Sequence, residues 1–197
     1  YFSFVAVEKV FAHHGMTLFD VEELPTHGGS LRIYARHSDH RDLPVCPNVE
    51  RLRQREIDDG FLTLERYHGF DEQVRGTKRA LLSFLIEAKE HGKSIAAYGA
   101  PAKGNTLLNY CGIRSDLIEY TVDRNPYKHG RFTPGTRIPI HPVDRLEKDR
   151  PDVIVVLPWN LETEITAQLS YTAEWGAQLV YPLPSLHVVD MAKGRSS

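Results

Sequence analysis

The segment that most constrains this chain is Asp152-Val-Ile-Val-Val-Leu157. A strand with one face in water alternates apolar and polar residues. An unbroken β-branched run is buried on both faces, which is the mark of a parallel sheet sandwiched between helices. Ser94-Ile-Ala-Ala-Tyr-Gly99 and Ala177–Tyr181 read the same way, and Leu117–Val122 is a further strand ending in Asp123. Helical patterns separate them, over Asn105–Cys111 and from Asn160, as N-cap, to about Trp175. The fold class is therefore α/β, with residues 94–190 a Rossmann-like parallel sheet carrying helices on both faces.

Residues 1–93 read differently. Phe4, Val7, Val10 and Phe11 fall at helical spacing behind the cap residue Ser3, and Gly15 stops that helix near His14. Met16–Leu24 and Ser30–Arg36 read as an antiparallel β-hairpin around the turn Pro25–Gly29. A Pro-bearing loop covers 37–47. Charged helices follow over 48–60 and 71–91, the second presenting Val74, Leu81, Leu85 and Ala88 on one face. The expected organisation is a hairpin-and-helix segment, 1–93, packing on the α/β unit, 94–190, with a disordered tail at 191–197. A first residue of Tyr1, inside the approach to a helix, suggests a piece of a longer protein.

Composition removes several function classes. Lys+Arg number 24 and Asp+Glu 26, a formal net charge of -2. A general nucleic-acid binder carries a basic excess, so none is expected as a partner. No apolar run approaches the roughly 20 residues that span a bilayer, so no membrane association is expected and the chain reads as cytoplasmic. Two distant cysteines, Cys46 and Cys111, exclude a disulfide scaffold and a four-thiolate zinc site built from this chain alone. The ten histidines form no H-x-x-x-H or H-E-x-x-H pattern, so no metal site is expected.

The strongest chemical signal is Tyr98-Gly-Ala-Pro-Ala-Lys-Gly-Asn105, a strand, a glycine turn and a helix start. Ligands of doubly wound sheets gather at strand carboxyl ends, where free N–H groups and a nearby cation attract phosphate. The dinucleotide fingerprint fails because Ala100-Pro101 replaces its middle glycine, and the Walker pattern fails because Lys103 precedes Gly104. The turn is thus either a phosphate contact through Gly99, Ala102, Lys103, Gly104 and Asn105, or a purely structural βα connection. Asp123 is placed to bond a ribose hydroxyl or to cap the turn Arg124-Asn125-Pro126. Asn125–Pro142 is long and rich in Pro, Gly and basic residues, including Lys128 and Arg131; it suits a pyrophosphate or is a solvated connection. Trp159 and Asn160 follow the clearest strand, where Trp159 suits stacking on a base or sugar and Asn160 suits hydrogen bonding or helix capping. In the hairpin, His27-Gly-Gly-Ser-Leu-Arg32 joins a titratable imidazole to Ser30 and Arg32 on a glycine turn; it is a ligand loop or an exposed turn.

Taken in order, six segments carry a resemblance: His27–Arg32, Tyr98–Asn105, Asn109–Ile113, Asp123–Pro126, Thr133–Ile140 and Leu157–Asn160. Together they resemble the C-terminal domain of the S-adenosylmethionine-dependent sugar C-methyltransferases, over nearly the whole chain. The resemblance implies an enzyme that methylates a carbon of a nucleotide-linked keto-deoxysugar. It implies a zinc-bearing domain and a methyl-donor domain elsewhere in the polypeptide, so S-adenosylmethionine and zinc are not expected to bind residues 1–197. It also implies a principal base upstream of Tyr1, substrate positioning for His27 with proton transfer as a lesser role, and an inactive fragment. The expected partners are the nucleotide-linked sugar and the methyl-donor domain. The alternatives are a Rossmann-like binding or oligomerisation module without chemistry, and a nicotinamide-dependent oxidoreductase.

Overall fold

A computed structural model of the chain describes residues 2–192; the side chain of His27 lies outside that description. The chain divides into two compact units, Tyr1–Gln73 and Val74–Ser197.

In the first unit, helix α1 (Phe4–His13) starts behind Ser3, whose hydroxyl accepts from the Ala6 N–H at 3.3 Å. Strands β1 (Met16–Leu24) and β2 (Ser30–His37) pair antiparallel around the 3-10 turn Thr26–Gly28. Helix α2 (Pro47–Asp58) completes a core of Phe4, Leu18, Val21, Val49 and Leu52. A helix leaves its first N–H groups without partners. Here Glu56 of α2 supplies them: its two carboxylate oxygens accept from Phe4 N at 2.8 Å and Val5 N at 2.9 Å.

Helix α3 spans Leu64–Glu90 and begins about two turns earlier than the periodicity places it. Residues 64–70 are exposed on every side, so no apolar stripe announces them. Its later residues Leu81, Leu85 and Ala88 are buried in the second unit.

The second unit is a six-stranded sheet ordered β5-β4-β3-β6-β7-β8. Its strands are β3 (Ile95–Tyr98), β4 (Tyr120–Val122), β5 (Ile140–His141), β6 (Val153–Val156), β7 (Gln178–Tyr181) and β8 (His187–Asp190). All neighbours are parallel except β7 and β8. The central strands are fully enclosed. Ile95, Ala97, Val153 and Val155 face one core, with helix α4 (Ala102–Cys111) and α3. Ala96, Tyr98, Ile154 and Val156 face the other, with α5 (Arg145–Asp149) and α6 (Glu162–Gln168). This is the α/β architecture the apolar runs require.

Three details differ from the sequence reading. The antiparallel edge strand β8 was not foreseen. It draws Met191 into the core, where the Met191 N–H donates to Ala177 O at 3.1 Å, so order continues past residue 190; residues 193–197 lie outside the described residues. The single helix expected from Asn160 to Trp175 is broken into a 3-10 turn (Trp159–Leu161), α6, and a second 3-10 segment (Ser170–Glu174). At the break the Leu169 carbonyl accepts from both the Thr172 N–H at 2.9 Å and the Thr172 hydroxyl at 2.7 Å, which tightens the chain into a 3-10 turn. Consequently Leu161, not Asn160, occupies the N-cap of α6.

Candidate functional site

Sheet order places the reversal of chain direction between β3 and β6, where open α/β sheets hold ligands at the strand carboxyl ends. In this protein that position is tightly packed. Gly99 follows β3 with φ +83°, and a Cβ built on it would stand 2.7 Å from Cγ of Pro158, two residues past the β6 end. One turn into α4, a Cβ on Gly104 would lie 2.7 Å from Leu157 Cβ. The two glycines seat the turn and the helix directly on the β6 end, so no side chain larger than glycine fits at either position without displacement.

Asp123 stitches this turn to the next strand end. Its Oδ2 accepts from Ala100 N at 2.8 Å and Lys128 Nζ at 2.9 Å, and its Oδ1 accepts from Asn125 N at 2.8 Å. Lys128 also donates to Ala100 O at 3.1 Å. Burial alone would push the Asp123 carboxyl up; Lys128 and the two N–H donors outweigh it and hold the group below its ordinary value. The Asp123 carbonyl, an acceptor only, lies 2.7 Å from His129 Nε2, so that ring nitrogen carries the proton. Of its two sequence-derived roles, Asp123 visibly fills the turn-forming one.

Beside this stitch lies a cavity of about 300 Å³, lined among others by Ala100, Asn105, Lys128, Arg131, Phe132 and Pro134. Its outer wall is fixed internally. Thr133 Oγ1 is 2.6 Å from Thr136 Oγ1 and accepts from Ile138 N at 2.9 Å, both threonines being buried. Asn109 Nδ2 ties the wall to α4 by donating to Pro134 O at 3.0 Å and to Asn105 O at 2.9 Å. Two features are unsatisfied. Asn105 Oδ1 is buried without a hydrogen-bond partner, an arrangement that costs about 1–3 kcal/mol. Arg131, which is exposed, has no side-chain hydrogen bond or ion pair among the described residues, so solvent meets its guanidinium.

Lys103 does not line this cavity. Its Nζ donates to Asn160 Oδ1 and sits 4.7 Å from the Trp159 ring centroid. Burial lowers its pKa. Trp159 packs against both sheet cores. Thus Lys103, Trp159 and Asn160 form one bracket across the β3 and β6 ends, whereas Asn105, Asp123 and Arg131 gather at the β4 side. Ala102, exposed, opens α4. Sequence reasoning named Lys128 only as one of several basic loop residues; its signal was a Lys five positions after a strand-ending Asp. Phe132 was not singled out at all.

The hairpin candidates belong to the first unit. Ser30 Oγ donates to Thr26 O at 3.0 Å, and Arg32 pairs with Glu22 at 3.1 Å on the exposed strand face. His27 is carried by the 3-10 turn, its side chain lying outside the described residues. A separate groove of about 700 Å³, lined by Phe2, Phe4, Leu24, Ser30, Leu31 and Ile33 among others, runs along the hairpin.

Fold and site together define a doubly wound α/β domain whose first strand–turn–helix packs closely on the neighbouring strand end. Residues 25–184 match the family of C-methyltransferase C-terminal domains, and the chain belongs to that family. It is also 32% identical over 192 residues to the C-methyltransferase NovU of Streptomyces niveus; the match covers 96% of this chain and 45% of that protein. The chain therefore spans a little under half the length of its curated relative.

Proposed function

We propose that this chain is the nucleotide-sugar-binding part of a methyltransferase that moves a methyl group from S-adenosylmethionine to a carbon of a nucleotide-linked keto-deoxysugar. The observation that carries the reading is the cavity at the strand carboxyl ends. It lies inside the family-matched span, and its lining includes Arg131, which has no counter-charge among the described residues, and Asn105, whose buried Oδ1 has no partner.

Bound S-adenosylmethionine supplies an electrophilic methyl group, and two features support a donor site elsewhere than on this chain. An adenosyl ribose at the β3–β4 ends would have to share the Asp123 carboxylate with Ala100, Asn125 and Lys128, which already donate to it. The Gly99 turn that would approach the donor is covered by Pro158. These facts support placing the methyl donor, and with it the principal base, outside residues 1–197. This chain's share is to bind and orient. A ketone acidifies the adjacent carbon, and binding energy from the remote nucleotide holds that carbon where a base and the methyl group reach it. His27, Ser30 and Arg32 are proposed as a second, positioning loop. The two unpaired cysteines, Cys46 and Cys111, support a reducing compartment such as the cytoplasm. Among the described residues no helix is long and apolar enough to cross a membrane.

The test uses the whole polypeptide that contains this chain. Incubated with S-adenosylmethionine and nucleotide-linked 4-keto-6-deoxysugars, it is expected to yield a sugar heavier by one methylene. No methyl transfer to any such sugar would refute the reading. Calorimetry of residues 1–197 with S-adenosylmethionine is expected to show no binding, and micromolar binding would move the donor site into this chain.

A further inference from the structure

Resting on the reading that this chain holds the nucleotide end of the substrate, we infer that the cavity recognises its ligand at two separate points. Arg131 takes the phosphate charge, and Asn105 Oδ1 accepts a hydrogen bond from an N–H or O–H of the same ligand. Lys103, the cation that local sequence logic favours, is a structural brace.

Lys103, Lys128 and Arg131 are the candidate cations for that charge. Lys103 is committed to Asn160 and the Trp159 ring, on the β6 side of the turn. Lys128 lines the cavity, but Asp123 neutralises it and the Ala100 carbonyl takes a second of its protons. Arg131 alone among these three has neither a counter-charge nor an acceptor among the described residues. It lines the same cavity as Asn105. A planar guanidinium offers paired donors that match phosphate oxygens, and an uncommitted one gives up water but no bond within the protein when it binds.

Asn105 complements it. Its backbone carbonyl is satisfied by Asn109, so the orphan Oδ1 is not a helix-forming group in distress. The cavity that Asn105 lines is walled in part by the apolar residues Leu108, Ile140 and Leu157, and no group of the protein donates to Oδ1. A buried acceptor without a partner raises the energy of the empty protein, and a ligand donor that reaches it recovers that loss. The site therefore favours a ligand that carries both an anion and a donor, as a nucleoside diphosphate does, over a simple anion.

The two points separate experimentally. Residues 1–197 are titrated calorimetrically with inorganic pyrophosphate and with UDP, dTDP, CDP, GDP and ADP, the tightest nucleotide then serving as the probe. Arg131→Met should weaken both pyrophosphate and the nucleotide by about 10- to 100-fold. Asn105→Leu should weaken the nucleotide by about 3- to 10-fold, leave pyrophosphate unchanged, and leave the melting temperature equal or higher, because the orphan acceptor is gone. Lys103→Met should stay within about twofold of wild type for both ligands. Nucleotide affinity lost in Lys103→Met but kept in Arg131→Met would overturn the inference while leaving nucleotide binding intact. So would an Asn105→Leu protein that melts lower and binds as wild type. Wild-type protein that binds none of the five nucleotides would instead remove the proposed function itself.

Discussion

Replacing Gly104 with alanine should destabilise the second unit, although alanine is the better helix residue. The gain in helix propensity is about 1 kcal/mol. Against it stands the contact of the new methyl with Leu157 Cβ at 2.7 Å, where ordinary contacts begin at 3.4 Å, and with Pro101 Cγ at 3.2 Å. Rotating the Leu157 side chain gives no relief, because the blocking atom is its Cβ, fixed by the backbone at the end of a fully buried strand. The backbone of α4 must instead retreat by roughly 0.7 Å, and overpacking of this kind costs about 1–3 kcal/mol. The cost sits at the upper end because the relaxation moves a helix rather than a side chain, so the net loss is about 1–2 kcal/mol. Urea titration and calorimetry of Gly104→Ala should show it as a melting temperature lower by about 2–8 °C. Gly76→Ala on α3 is the control. The nearest atom to its new methyl is Arg79 Nη2 at 4.0 Å, so propensity acts alone and stability should rise by about 0.5–1 kcal/mol. A Gly104→Ala protein as stable as wild type would show that α4 does not bear on the β6 end as described.

Asp123 and Lys128 predict a pH effect. A carboxyl held below its ordinary value stabilises the fold above about pH 4 and loses that contribution as pH falls through its folded-state pKa; in Lys128→Gln this acid-side loss, read as melting temperature between pH 2 and 5, should shrink. In the first unit, Glu56→Ala removes both acceptors at the start of α1 and should cost about 2–4 kcal/mol, with faster hydrogen exchange at the Phe4 and Val5 amides; unchanged exchange there would refute the cap. His187 is raised above its ordinary value by its 2.9 Å bond to Glu162, so Glu162→Gln should move its NMR titration back toward about 6.5.

Long-range pairing explains what the sequence hid. The fully buried strands were legible because only enclosure tolerates Val153–Val156 without a polar residue. Strand β5 was not, being two residues between Pro139 and Pro142, held by a parallel neighbour rather than by its own pattern. Strand β8 follows a Pro-rich connection and shows only two apolar residues of four. At the site, the strand-turn-helix and its glycines were readable, since close backbone approach is a local demand. The partner of Lys103 was not, because Asn160 lies 57 residues away and meets it only after β3 and β6 pair. The orphan oxygen of Asn105 is likewise a property of what fails to surround it.

Strand order also sets a timetable for synthesis. The hairpin of the first unit joins residues as close as Leu24 and Ser30, so it closes within microseconds once made. The centre of the larger sheet cannot. Ile95 waits for Val153, and until that segment emerges β3 has a neighbour on one edge only. A nascent chain ending before β6 displays the apolar edge of β3 and the bare underside of α4, which is the interval in which such a chain is open to aggregation or to a chaperone.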